Sequence, residues 1–199
     1  MTIPRALLAA TGVLLSLGAA PVLAAAPVAA IERFNATTLD IMKNAKTLGI
    51  EGRAKRFEPA VREAFDLPAM TAFAVGLAWA GFNASDRGAV TEAFTRMTAA
   101  SYAQNFNGYN GEKFVVVPAT VPRGADMVVK SQIVASGKPT EIDYRMRGAG
   151  TTWKAVDVYY EGGISQLSIR RSEFAATVAS GGAAALIRKL NDIAVSMKK

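Results

Sequence analysis

The chain has 199 residues, 51% of them hydrophobic, with 23 basic and 16 acidic side chains and a formal net charge of +7. It contains neither cysteine nor histidine. That excludes disulfides, zinc-thiolate sites, thiol nucleophiles, imidazole bases and Ser-His-Asp triads. Chemistry would have to run on carboxylates, Lys, Tyr, Ser or Thr, so a binding protein is the plainer expectation.

Residues 1–5 carry one positive charge, Arg5. Residues 6–20 are an apolar run, Pro21 breaks it, and Val22, Leu23, Ala24, Ala25 and Ala26 follow. This pattern reads as a cleavable secretory signal over residues 1–24, cut after Ala24 or Ala26. The competing reading is a membrane anchor, but the run is short against the ~20 residues a spanning helix needs. Residues 25–199 are then expected as one exported domain, most simply in the periplasm. Loss of Arg5 leaves 22 basic against 16 acidic residues, a charge of +6. Export argues against nucleic acid as the counter-charge. Anionic membrane surfaces suit it, or the charge only keeps the protein soluble.

Ile31, Phe34, Thr38, Ile41, Met42 and Ala45 share one helical face, with Glu32, Arg33, Asp40 and Lys43 opposite. Gly49 and Gly52 interrupt. A second helix is expected over 53–65, with Phe57, Val61, Ala64 and Phe65 inward and a kink or late start at Pro59. Asp66 caps a third, short and nearly uncharged helix, with Pro68 in its first turn. Ser85 or Asp86 caps a longer one running to about Gln104, whose face is Val90, Phe94 and Met97.

After Gly108 the period changes to two. Strands are expected over 113–117, ended by Pro118, then 127–135, 141–147 and 152–160. Gly137-Lys138-Pro139 and Gly148-Ala149-Gly150 supply turns. Ser165 caps a helix to about Ala179 with Leu167, Phe174 and Val178 inward. Gly181-Gly182 separates it from a last helix striped by Leu186, Leu190, Ile193 and Met197. Helices, a sheet, then helices make an α+β fold: a twisted antiparallel sheet of about four strands covered by helices from both halves of the chain.

Ile142, Tyr144 and Met146 share a strand face, and Val129 and Ile133 match them next door. Phe94, Met97, Phe174 and Trp79 are candidates for the cover. Such a set makes either an ordinary core or an apolar cavity between sheet and helices. Arg171, near the apolar face of its helix, could clamp an anionic head group or pair with a carboxylate. Asp143 and Tyr144 are strand neighbours and face opposite sides, which speaks against an acid-base pair. There is no nucleotide-binding glycine loop and no metal-spaced cluster, so neither cofactor nor metal is expected.

Several pieces in order resemble a known family. They are Phe65-Asp66 before a helix with Met70, Gly76 then Trp79, a Phe94 to Tyr102 helix, and the strand Ile142-Asp143-Tyr144-Arg145-Met146. Trp153-Lys154-Ala155-Val156-Asp157-Val158, Glu161-Gly162-Gly163-Ile164-Ser165 and Arg171-Ser172-Glu173-Phe174 follow. From about Phe65 to Leu190 the chain resembles the periplasmic lipid-binding proteins of the toluene-tolerance/MlaC family. Residues 164–177 and 180–187 are most similar to its hopanoid-associated HpnM branch.

The resemblance implies a partly NTF2-like α+β fold enclosing an apolar pocket; strand parity and helix face put Trp79, Phe94, Met97, Val129, Ile133, Ile142, Tyr144, Met146 and Phe174 in its lining. It implies a monomeric shuttle for a hopanoid or phospholipid, in transient contact with membrane surfaces. The implied partners are an inner-membrane lipid transporter of MCE-ABC or RND type and an outer-membrane lipoprotein complex. The readings left beside it are a small NTF2-like enzyme using Tyr144 and Asp157, and an adaptor that binds no lipid.

Overall fold

A computed structural model describes residues 22–198. The expected signal segment lies outside the described residues except for its last three, which begin the first helix. Five helices and a five-stranded antiparallel sheet follow: α1 (Val22–Lys43), α2 (Ala45–Ala64), α3 (Leu67–Val75), a 3-10 turn (Gly76–Gly81), α4 (Ala84–Asn105), β1 (Lys113–Arg123), β2 (Asp126–Ala135), β3 (Lys138–Ala149), β4 (Thr152–Tyr160), β5 (Ile164–Ser165) and α5 (Gln166–Ser196). Strand order in the sheet is sequential. Among the described residues no helix is long and apolar enough to cross a membrane.

The helical faces read from the period hold. Ile31, Phe34, Thr38, Ile41, Met42 and Ala45 are all buried. Thr38 can be buried because its hydroxyl donates to the Phe34 carbonyl at 2.9 Å. Phe34 meets Phe65 and Tyr102 edge-on, with ring centroids 5.1 and 5.2 Å away. The expected break at Pro59 does not occur. The chain bends at Gly49 instead, at φ 60° and ψ −179°, a conformation that costs a side chain dearly and glycine little. Gly52 stays helical. Arg53, which the hydrophobic pattern left unremarked, is buried and donates to the Ala103 and Ala45 carbonyls at 2.9 and 3.0 Å. It thus serves the last turn of α4, where carbonyls lack helical partners.

Asp66 caps α3 as expected, accepting from the Ala69 N–H at 3.1 Å. Its own N–H donates to the Ala155 carbonyl at 2.9 Å, joining the α2–α3 junction to β4. The α4 cap is Asn83 rather than Ser85 or Asp86: its side-chain oxygen accepts from the Asp86 N–H at 2.8 Å. Asn is as good a cap as either, and the helix simply starts earlier.

β1 does not end at Pro118 but runs on to Arg123, with a register shift between Val116 and Thr120. As an edge strand it needs no N–H from Pro118 on its open side, and the bulge absorbs the rest. Two-residue loops close the first three hairpins, pairing Arg123 with Asp126, Ala135 with Lys138, and Ala149 with Thr152. The turn after β2 is therefore Ser136-Gly137, one residue earlier than the sequence suggested; both residues have positive φ, the twist that hairpins favour. β4 carries a bulge: Arg145 pairs with Asp157 and Met146 with Ala155, leaving Val156 extra. β5, a two-residue strand on β4, was not foreseen. Its Ser165 caps α5 through the Ser168 N–H at 3.0 Å. α5 breaks at Gly182, at φ 57°, where the sequence placed two helices.

Candidate functional site

The core does not fill the space between sheet and helices. A cavity of about 600 Å³ lies between α4, the N-terminal turns of α5 and the second-half face of the sheet. The helical side is one stripe of α4: Phe94, Met97, Thr98, Ser101, Tyr102 and Asn105, at i, i+3, i+4, i+7, i+8 and i+11. The sheet side is Ile133 from β2, Thr140, Ile142 and Tyr144 from β3, and Val158 and Tyr160 from β4. Phe65 and Met70 close one end, and Gln166, Leu167 and Arg170 from α5 another. Asn105, Tyr160 and Gln166 are exposed and mark the mouth, whereas Phe94, Met97, Tyr144 and Leu167 are buried.

Of the nine candidates read from strand parity and helix face, Phe94, Met97, Ile133, Ile142 and Tyr144 lie in this wall. The other four do not. Val129 and Met146 are fully buried just beyond the cavity's edge, where Val129 pairs with Tyr144, the last residue of β3 in the wall, and Met146 with Ala155. The layers meet there, so correct parity yields core rather than cavity. Phe174 is buried farther along α5, with the Lys189 ammonium 5.8 Å from its ring. Trp79 belongs to the 3-10 turn, packed on Phe82 with centroids 6.1 Å apart and covered by the Arg87 guanidinium.

Among the described residues Arg171 pairs with no carboxylate, and it does not line the cavity. Its guanidinium stacks over the Phe73 ring at 5.4 Å and fills the space beside Gly76, where a Cβ would come within 3.3 Å of it. The cation at the cavity rim is its neighbour Arg170, which pairs with Glu173 at 2.8 Å. One residue is a 100° turn of the helix, and Leu167 and Arg170 share the turn that faces inward.

The two residues of the enzyme reading are far apart in role. Asp157, 6% exposed, points away from the cavity. It accepts from the Ser165 hydroxyl at 2.7 Å, the Val158 N–H at 2.8 Å and the Leu167 N–H at 3.3 Å. It anchors β5 and the start of α5 to β4. Asp143 accepts from the Ser131 N–H, and burial raises its pKa. Tyr144 has no base beside it; burial pushes its phenol above the usual range. Burial also pushes up the Tyr102 phenol, with the nearby Tyr144 adding to the effect.

Residues missed by the sequence reading include Tyr102, Ser101, Met70, Phe65, Val158 and Leu167. Tyr102 and Ser101 had a signal, since they continue the Phe94–Met97 stripe at its own spacing. Val158 had none, because the bulge at Val156 decides which side it faces.

Comparison with known proteins gives three findings. The family model described as MlaC protein matches residues 32–192. No curated protein matches the chain. A solved phospholipid-binding protein from Ralstonia solanacearum, in complex with a phospholipid, is similar in fold: TM-score 0.74 at 20% identity, covering 88% of this chain and 99% of that one.

Proposed function

Because the chain belongs to the MlaC protein family, we propose that it is a periplasmic carrier that moves a membrane lipid through water with its tails held in the cavity. One observation carries the reading: about 600 Å³ of unfilled space with mostly apolar walls and a polar mouth. That volume falls within the ~300–1,000 Å³ typical of ligand sites. The phospholipid in the Ralstonia solanacearum protein of the same fold supports it.

The physics is simple. Each methylene exposed to water costs ~0.8 kcal/mol, so a free lipid leaves a membrane slowly. A dry pocket replaces the membrane interior, and the tails never meet water. Such a carrier needs no nucleophile, metal or nucleotide. The family also supports export, and the N-terminal pattern supports a cleaved leader. The HpnM-like stretches at 164–177 and 180–187 favour a hopanoid, with a phospholipid as the other cargo. In this proposal a membrane transporter of MCE-ABC or RND type receives or supplies the lipid. Leu77, 91% exposed on the 3-10 turn, offers an apolar contact for a membrane surface.

The test is lipid mass spectrometry on protein purified under native conditions. A stoichiometric lipid, or uptake of one from vesicles, is expected, and its class settles hopanoid against phospholipid. Protein that carries no lipid and takes none up would leave the adaptor reading.

A further inference from the structure

Beside the hydroxyls of Thr98, Ser101 and Thr140, the cavity wall carries two phenols inward of its mouth, those of Tyr102 and Tyr144. They come from opposite layers, α4 and β3, and both line the cavity. Among the described residues neither phenol oxygen has a hydrogen-bond partner, yet neither is sealed off. Among the described residues, only Asn35 has sealed side-chain polar atoms without a partner. Both hydroxyls therefore face open space. For Tyr144, 2% exposed, that space is the cavity.

A saturated hydrocarbon chain lying across both would desolvate two hydroxyls and satisfy neither. An apolar cargo alone does not call for this wall; phenylalanine would serve it better. Each phenol carries one donor and accepts in return. Burial keeps both protonated, so both remain donors at neutral pH. Among the described residues the cavity lining has no free cation. Arg170, at the rim, is already paired with Glu173. A charged ligand group placed at the phenols would lack a counter-ion, so an uncharged oxygen fits best.

We propose that Tyr102 and Tyr144 form a two-sided clamp for a neutral oxygen of the cargo, an ester carbonyl or an alcohol, and thereby select oxygen-bearing lipids over plain hydrocarbon ones. The inference rests on the carrier reading and adds its specificity. The shared chemistry has two sources: the glycerol ester of a phospholipid, or the hydroxyl of a polycyclic isoprenoid.

The experiment measures affinity of the purified protein for two matched pairs by displacement of a fluorescent fatty acid. One pair is ester-linked dipalmitoyl phosphatidylglycerol and its ether-linked analogue. The other is a pentacyclic triterpene alcohol and its parent hydrocarbon. The oxygen-bearing member of one pair should bind roughly five- to tenfold more tightly, the worth of about one neutral hydrogen bond. The pair that discriminates names the source. Tyr102→Phe and Tyr144→Phe should each reduce the ratio, and the double variant should bring it to about one with an unchanged melting temperature. A wild-type protein that binds lipids but distinguishes neither pair overturns the clamp while leaving the carrier intact. So does a double variant that still discriminates. A wild-type protein that binds none of the four overturns the carrier reading itself.

Discussion

Asp157→Ala tests whether this carboxylate is structural. Two of its three accepted hydrogen bonds cross from β4 to the β5–α5 junction, to the Ser165 hydroxyl and the Leu167 N–H. Both are shielded, since Asp157 is 6% exposed and Leu167 is buried. Hydrogen bonds to a charged group are worth ~1.5–3 kcal/mol each. Taking the low end for both crossing bonds, because 3.3 Å is long, the loss is about 3 kcal/mol. For a chain of this size each kcal/mol shifts the melting temperature by ~2–4 °C, so a fall of roughly 6–12 °C is expected by circular dichroism. Asp157→Asn keeps an oxygen for the Val158 and Leu167 N–H groups and can donate to Ser165, so it should fall by well under half as much. Gln166, Leu167 and Arg170 begin where the anchor ends, so the alanine variant should lose lipid along with stability, and the asparagine variant should keep both. An alanine variant that melts within ~2 °C of the parent would refute the anchoring argument, on the same conversion. An asparagine variant that is folded and lipid-loaded but inactive in some turnover would revive the enzyme reading.

Three further outcomes are expected. Met97→Trp should fill the cavity from α4, reduce the lipid recovered per protein by at least half in mass spectrometry, and leave the fold intact, since the added ring enters empty space. Arg53→Met should lower stability by about 2–4 kcal/mol in urea unfolding, because the Ala103 and Ala45 carbonyls lose their buried donor. Asp126, 2% exposed between Arg145 and Arg147, has its carboxyl held below the usual range, chiefly by the Arg147 hydrogen bond. A carboxyl depressed in the folded state stabilises fully above its unfolded pKa of ~3.9 and stops doing so as pH falls through the folded value. Asp126→Asn should therefore cost about 2 kcal/mol near neutrality, less than a fully buried pair because both guanidiniums touch water. The same substitution should flatten the loss of stability below about pH 4, measured by unfolding across pH.

The sequence showed the elements more clearly than the space between them. The α1 face from Ile31 to Ala45, the Asp66 cap, the Gly181-Gly182 break and the alternation through Ile142, Tyr144 and Met146 are local facts, each set by a few neighbouring residues. The misjudged points are cases where a tertiary partner decides. Pro118 is tolerated because β1 is an edge, which no residue of β1 announces. Pro59 lies in an unbroken stretch of helix because the bend was taken at Gly49. Arg171 and Arg170 differ by one residue, and only the packing of Phe73 and Gly76 shows which of them turns away. Parity selected the correct face at Val129 and Met146 but could not say at which end of the strands the layers part.

Where they part follows from side-chain size on α4. That helix buries Ala93, Ala99, Ala100 and Ala103, and small residues let helices approach closely. The stripe it turns to the cavity carries Phe94, Met97 and Tyr102, and Tyr102 is wedged into rings from Phe34, Phe57, Phe65 and Phe106. An aromatic cluster of that bulk holds α4 off the sheet at one end. The bulge at Val156 turns Val158 and Tyr160 inward beyond it, and Asp157, turned outward by the same bulge, ties down α5 as the remaining wall. One inserted residue in β4 thus shapes the cavity's floor and anchors its side. Deleting Val156 should cost far more than a buried valine, because it would reverse the facing of every residue from Asp157 to Tyr160.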